Sequence, residues 1–166
     1  MLPARLRTRF FPACVVSLSM LVASFYLEAA LDLAPCALCF SQRVMLGSYA
    51  LVCFVALLLG PRGAGVRRYM VAALVCAGAG AALAARHVWL QGAVGSACPE
   101  PLLPVFEQSW HEAAKALLWN GSDCGSLTWS FIDLTLPEWS LMAFLLLAAM
   151  PLTFLIGYRL QALAKA

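Results

Sequence analysis

The sequence predicts an all-α membrane protein, a bundle of four transmembrane helices in a single domain. The chain is 63% hydrophobic and only 11% charged, whereas soluble domains are about 25% charged. Four stretches without Asp, Glu, Lys or Arg approach the roughly 17–25 residues that a helix needs to cross the hydrocarbon core. Helices also satisfy their own backbone hydrogen bonds in lipid. The predicted spans cover about residues 10–29, 42–60, 69–90 and 139–158.

The basic residues predict how these spans are oriented. Eight of the eleven precede the first span, lie between the second and third, or follow the fourth: Arg5, Arg7, Arg9, Arg62, Arg67, Arg68, Arg159 and Lys165. The acids lie at or beyond the opposite ends of the spans. By the positive-inside rule, both termini are cytoplasmic and the loops at about 30–41 and 91–138 are outside. The net charge of +3 reflects this topology, so it gives no reason to invoke nucleic acid.

The first span has a second interpretation, because three arginines before an apolar run also describe a secretory signal peptide. The apolar run is longer than the roughly 7–15 residues of a signal peptide, and no convincing A-x-A cleavage site follows it. We therefore expect an uncleaved first helix.

Two further patterns refine the picture of the bundle. In the second outer loop, apolar residues recur at helical spacing between polar ones over 103–118. They predict a short amphipathic helix, which either lies at the membrane interface or packs on the bundle. In the third span, Ala73, Ala77, Ala81 and Ala85 form a stripe with Gly78 and Ala82 beside it. Small residues spaced four apart predict close helix packing in lipid.

The seven cysteines divide by position. Cys14, Cys53 and Cys76 lie inside predicted spans, where a thiol behaves as a small hydrophobic group. The other four lie outside, in a compartment that permits disulfides: Cys36, Cys39, Cys98 and Cys124. Four cysteines allow three pairings, and the sequence alone does not choose among them. The adjacency of Cys36 and Cys39 favours these two as one pair, which leaves Cys98 with Cys124.

Three kinds of chemistry fit these cysteines, and redox chemistry fits best. As a structural staple, a C-x-x-C disulfide closes too small a loop to constrain the unfolded chain much. As a zinc site, the pattern lacks a second C-x-x-C, because 25 residues separate Cys98 from Cys124. We therefore expect no bound metal. A C-x-x-C dithiol is typical of redox proteins, and here it lies where lipid meets water.

Residues near this boundary predict how the dithiol reacts. Cys39 is expected at the start of the second helix, where the helix dipole favours an anion. Arg43 lies one turn further on the same face, so it also favours the Cys39 thiolate. Arg43 could alternatively be a snorkelling interface anchor. His87, at the outer end of the third span, could bond a quinone oxygen or could merely be solvated.

These features together resemble the DsbB family of disulfide bond formation proteins, the thiol:quinone oxidoreductases of bacterial inner membranes. The resemblance covers essentially the whole chain. It rests on four helices, the Pro35-Cys36-x-x-Cys39 motif followed by Arg43, and a cysteine pair in the second outer loop. The run from Ser122-Asp123-Cys124 to Trp139 also resembles that family's return to its fourth helix. The segment Phe40-Ser41-Gln42 departs from it, because many relatives carry a tyrosine and an acid before the arginine.

The resemblance implies a relay of electrons. A reduced periplasmic oxidase of the DsbA type, which is thioredoxin-like, would attack the Cys98–Cys124 disulfide, and exchange would then involve Cys36–Cys39. Cys39 would lie next to the quinone, with Arg43 helping to bind it. The cofactor would be ubiquinone, with menaquinone as the alternative, and both outer loops would be periplasmic.

Two rivals remain open from the sequence. Vitamin K epoxide reductase is another four-helix quinone-linked thiol enzyme, but its C-x-x-C would be expected near the last core helix. A non-catalytic four-helix membrane protein with structural disulfides or a metal site is the rival from a different class.

Overall fold

The structure, a computed structural model, describes residues 2–31, 37–93, 109, 111, 130–131 and 134–164 of the chain. Its helices are α1 (Leu2–Leu31), α2 (Ala37–Leu59), α3 (Ala64–Ala93) and α4 (Leu136–Leu163). Each contains a stretch long and apolar enough to cross a membrane, which confirms the predicted four-helix membrane fold. The expected amphipathic helix at 103–118 lies outside the described residues, apart from Ser109 and His111.

The helices pack in chain order. The second helix lies between α1 and α3, and α3 also packs along α4, whereas α1 and α4 touch little. The core between them is formed largely by small side chains of α3 and larger ones of its neighbours, including Tyr49 from α2 and Phe144 from α4. Many large apolar side chains point outward and are exposed, such as Leu59 and Trp89. In a multi-pass membrane protein these outward faces meet lipid, so they need no protein partner.

The buried face of α3 differs from the expected alanine stripe. Ala73 and Ala77 are buried, but Ala81 is only partly buried and Ala85 is exposed. A step of four residues turns about 40° more than one full turn of a helix, so a row spaced by four drifts out of the interface. The face that packs instead follows alternating steps of three and four residues. Its members are Val66, Met70, Ala73, Ala77, Gly80, Ala84 and His87.

At Gly80, α3 packs closely against Phe144 of α4. A Cβ atom at this position would lie 2.2 Å from Cε1 of Phe144, much closer than real Cβ atoms come to other heavy atoms. A Cβ atom at Gly78, which was expected beside the alanine stripe, would meet nothing within 4 Å. Gly80 therefore packs against a neighbouring helix, whereas Gly78, two residues earlier, does not.

Local hydrogen bonds mark the end of α2 and the start of α4. The α2 helix ends at Leu59 and is followed by Gly60, whose φ of 54° suits the left-handed position after a helix and whose N–H donates to Ala56 O at 3.1 Å. The α4 helix follows a small antiparallel pair, β1 (Ser130–Phe131) and β2 (Leu134–Thr135), which the sequence did not lead us to expect. Glu138 in the first turn of α4 accepts hydrogen bonds from both the backbone N–H and the hydroxyl of Thr135. This contact fixes the entry into α4.

Candidate active site

The residues expected to carry chemistry lie at one end of the bundle, which we call the cysteine end. There α1 and α3 finish and α2 and α4 begin. Cys39 is the third residue of α2 and is partly buried. Its neighbour Leu38 is fully buried and packs against Cys39 and against Leu83 and Leu90 of α3. Backbone N–H groups in the first turn of a helix lack intrahelical partners and favour an anion, so this position suits a thiolate.

Of the four cysteines expected to react, the structure describes Cys39 alone. Cys36 precedes the first residue of α2, and Cys98 and Cys124 fall in the second outer loop; all three lie outside the described residues. Their pairing therefore stays a prediction. The remaining thiols are in the bundle, where Cys53 is buried in the core and Cys14 and Cys76 pack against it.

Arg43, one turn beyond Cys39, is held by the last turns of α1. Its guanidinium forms an ion pair with Glu28 and donates from the second terminal nitrogen to Ser24 O at 3.0 Å. The guanidinium carbon also lies 4.7 Å from the centre of the Phe25 ring, within the range of a cation–π contact. Arg43 therefore joins α2 to α1, a role that a purely solvated interface anchor would not have.

His87 is completely buried, so the interpretation of a merely solvated boundary histidine is wrong. Its Nδ1 lies 3.2 Å from Nε2 of Gln42, and the other amide atom of Gln42, Oε1, accepts from Ser140 Oγ at 2.7 Å. Ser140 Oγ is also 2.8 Å from Pro137 O in its own helix. These contacts form a polar chain across α3, α2 and α4. Buried polar groups are costly unless paired, which explains why these three side chains meet.

Sequence reasoning missed the partners in both networks. Glu28 is an ionisable residue near the end of a span, a type of residue that is functional by default in membranes. That signal was present but pointed to no partner. Gln42 and Ser140 carried no signal beyond being polar at a membrane boundary. Gln42 and Arg43 are adjacent in sequence, yet one reaches α3 and α4 and the other reaches α1.

The arrangement places a thiol one helical turn from a guanidinium that has further hydrogen-bond donors. Within the described part of the chain, no group of three or more His, Cys, Asp or Glu residues is placed to hold a metal ion. The two contacts of Arg43 with Glu28 and Ser24 use two of the five N–H donors of a guanidinium. Arg43 thus has donor capacity for a further acceptor one turn from the Cys39 thiol.

Comparison with known proteins shows the family of this chain. Residues 6–154 match the family model described as "Disulfide bond formation protein DsbB". The chain is 62% identical to "Disulfide bond formation protein B 2" of Pseudomonas putida, over 99% of both chains. It is 53% identical to the protein of the same name from Pseudomonas entomophila, over 98% of both. It is 37% identical to "Disulfide bond formation protein B" of Xanthomonas campestris pv. campestris, over 86% of both. These matches show that the chain belongs to the DsbB family of disulfide bond formation proteins.

Proposed function

We propose that this protein is a thiol:quinone oxidoreductase that generates disulfides by reoxidising a periplasmic, thioredoxin-like oxidase of the DsbA type. The observation that carries the proposal is the position of Cys39, in the first turn of a membrane-spanning helix and one turn from Arg43. A thiol in this position meets the aqueous side and the lipid at once. It can therefore pass electrons from a soluble dithiol to an acceptor dissolved in the membrane.

The proposed relay moves one pair of electrons through two cysteine pairs. A thiolate of the reduced partner attacks the Cys98–Cys124 disulfide at Cys98, which forms a mixed disulfide and releases Cys124 as a thiolate. The second thiol of the partner then displaces Cys98, so the partner leaves oxidised and both cysteines of this pair are reduced. Exchange with Cys36–Cys39 restores the first disulfide and leaves Cys36 and Cys39 as the dithiol. Each step breaks one disulfide and forms another, as thiol–disulfide exchange requires.

The cysteine end suits a quinone as the final acceptor. A bound quinone supplies the two-electron, two-proton sink that returns Cys36 and Cys39 to the disulfide. Its carbonyl oxygens need hydrogen-bond donors, and Arg43 has guanidinium N–H groups beyond those that Glu28 and Ser24 take up. His87 of α3 lies at the same end of the bundle and is the second residue that we propose near the quinone. The DsbA couple, at about −120 mV, is so oxidising that a glutathione pool cannot accept its electrons.

The charges of the chain support the bacterial inner membrane as the location, with both termini cytoplasmic and the cysteine end periplasmic. Arg62, Arg67 and Arg68 lie at the opposite end of the bundle from Cys39, on the turn between α2 and α3 and the start of α3. Positive residues favour the cytoplasmic side. The cysteine end then faces a compartment in which disulfides persist.

The experiment that tests the proposal follows quinone absorbance with the purified protein in detergent, ubiquinone and a reduced thioredoxin-like dithiol. We expect rapid quinone reduction that Cys36→Ser abolishes. Cys76→Ala is the matched control, because Cys76 lies within a span and packs against the core, so this variant should keep the activity. If neither ubiquinone nor menaquinone is reduced above the protein-free rate with several dithiol partners, the proposal is wrong. The cysteines would then form structural disulfides or a metal site.

A further inference from the structure

The guanidinium of Arg43 is held by one turn of α1. Its terminal nitrogen Nη1 forms the ion pair with Glu28, and Nη2 donates to the backbone oxygen of Ser24 at 3.0 Å. Ser24 and Glu28 are four residues apart on a helix, so they lie on the same face. The ring of Phe25, between them in sequence, contacts the guanidinium as well, at 4.7 Å. Two hydrogen bonds and one ring contact from α1 thus reach the same group.

These contacts restrict how the guanidinium is oriented. The group is planar and carries five N–H donors in a fixed arrangement. Glu28 takes a donor of one terminal nitrogen, and Ser24 takes a donor of the other. A planar group bonded at both terminal nitrogens cannot turn without breaking a bond. The remaining N–H groups therefore keep one direction, and donors held in advance bind an acceptor better than mobile ones.

The two partners of Arg43 differ in how they depend on the sequence. Ser24 contributes its backbone oxygen, which any residue at that position would provide. Glu28 contributes a side-chain carboxylate, so its bond is lost when the residue is changed. Without it, Arg43 keeps the bond to Ser24, and the guanidinium can pivot about that single bond. Ionisable residues near the bilayer usually pair with one another, and this pairing leaves the remaining donors with little net charge, which suits a neutral carbonyl oxygen.

We propose that Glu28 is a positioning residue for quinone binding, which acts by holding the guanidinium of Arg43 in one orientation. This inference rests on the proposed function, because it requires Arg43 to donate to a quinone carbonyl. It adds a residue of α1 to the site, 15 positions before Arg43 in the chain. Glu28 acts only through Arg43, since a carboxylate accepts hydrogen bonds and has no donor for a carbonyl oxygen.

The first test measures quinone binding without turnover. The oxidised full-length protein in detergent, with no dithiol donor, has no electrons to pass on, so titration with a short-chain ubiquinone measures binding alone. Quenching of the fluorescence of the five tryptophans follows the titration. We expect Glu28→Ala to raise the dissociation constant roughly three- to tenfold, the range of one hydrogen bond. Glu28→Gln should raise it less, roughly twofold, because an amide oxygen still accepts but more weakly than a carboxylate.

A double variant tests whether Glu28 acts through Arg43. In an Arg43→Gln background there is no guanidinium to orient. Adding Glu28→Ala to that background should therefore change the dissociation constant by less than about 1.5-fold, the level of independent sites. A role of Glu28 in folding alone would persist in that background. Non-additive effects on quinone binding are thus specific to positioning.

Glu138→Ala is the matched control. Glu138 is an acid at the same end of the bundle, but its carboxylate accepts bonds from Thr135 rather than from Arg43. This variant also loses a carboxylate contact, yet it should leave quinone binding unchanged. In steady-state turnover, Glu28→Ala should raise KM for quinone and leave KM for the dithiol unchanged, because the dithiol reacts at the second outer loop.

Several outcomes would overturn the role of Glu28. One is an unchanged dissociation constant in a folded Glu28→Ala protein, and another is an equal effect of this substitution in the Arg43→Gln background. If Glu28→Ala does not fold, Glu28→Gln decides, and quinone binding equal to that of the wild type would overturn the proposal. Wild-type protein that neither binds nor reduces quinone would refute the proposed function and this inference with it. Wild-type activity with intact binding in the Glu28 variants would refute the role of Glu28 alone.

Discussion

The ion pair between Glu28 and Arg43 should stabilise the contact between α1 and α2, and Glu28→Gln measures how much. This substitution preserves the size of the side chain and removes its charge. Arg43 keeps its bond to Ser24 O and its contact with the Phe25 ring, so only the carboxylate is lost. The experiment therefore isolates one charge-assisted contact within a group of three.

The burial of the pair sets the magnitude. The side chains of Arg43 and Glu28 are 15% and 28% exposed, so the pair lies between the surface and buried limits. Exposed ion pairs contribute about 0.2–1 kcal/mol, and hydrogen bonds to charged groups contribute about 1.5–3 kcal/mol. We expect Glu28→Gln to lower the free energy of unfolding by about 1–2 kcal/mol, between these limits.

A double-mutant cycle in detergent provides the assay. Glu28→Gln, Arg43→Gln and the double variant are unfolded by titration with a denaturing detergent, followed by circular dichroism. We expect a favourable coupling energy of about 1–2 kcal/mol, because the two side chains interact directly. A control cycle pairs Glu28→Gln with Arg62→Gln at the opposite end of the bundle, where the effects should add. Coupling below about 0.3 kcal/mol in the first cycle would refute the reasoning, since that is the level of independent sites.

Two further predictions concern the packing of α4. Gly80→Ala should destabilise the bundle by about 1–3 kcal/mol, because its Cβ would overlap the Phe144 ring. Gly78→Ala should not destabilise it, since nothing lies within 4 Å of that position; equal effects in thermal unfolding would contradict this packing. Glu138→Ala should lower the free energy of unfolding, because it removes the carboxylate that accepts both bonds from Thr135. Glu138→Gln keeps an acceptor and should cost less, and an equal loss of unfolding free energy in the two variants would count against this role.

The sequence predicted what depends on composition and short spacing. Apolar runs predicted the four helices, and the spacing of Cys39 and Arg43 predicted their separation by one turn. It could not predict which face of each helix turns toward which neighbour. Four-residue spacing placed Ala85 on the packing face of α3, but Ala85 is exposed and Ala84 is buried. One residue of error turns a side chain by about 100° around the helix axis.

The same limit explains why the partners at the cysteine end were missed. Arg43 and Glu28 are 15 residues apart, Gln42 and His87 are 45 apart, and Gln42 and Ser140 are 98 apart. No local pattern in the sequence relates positions at such separations. They meet only once the rotation of all four helices is fixed. His87 looked like a boundary residue because it lies near the end of its span, yet its face of α3 is buried, and its side chain contacts Gln42 of α2, which in turn bonds Ser140 of α4.

The polar contacts of Gln42 and Arg43 lie where they can hold the first turn of α2, which contains Cys39. The first turn of a helix is held by fewer backbone hydrogen bonds than its interior, so Cys39 gains little rigidity from α2 itself. Gln42 and Arg43, one turn further on, fasten that part of α2 to α3 and α4 on one side and to α1 on the other. In the relay proposed above, the Cys39 thiol must keep its geometry while its disulfide with Cys36 opens and closes. Contacts to three helices can hold this turn in place, together with the buried side chain of Leu38, which packs against Leu83 and Leu90 of α3.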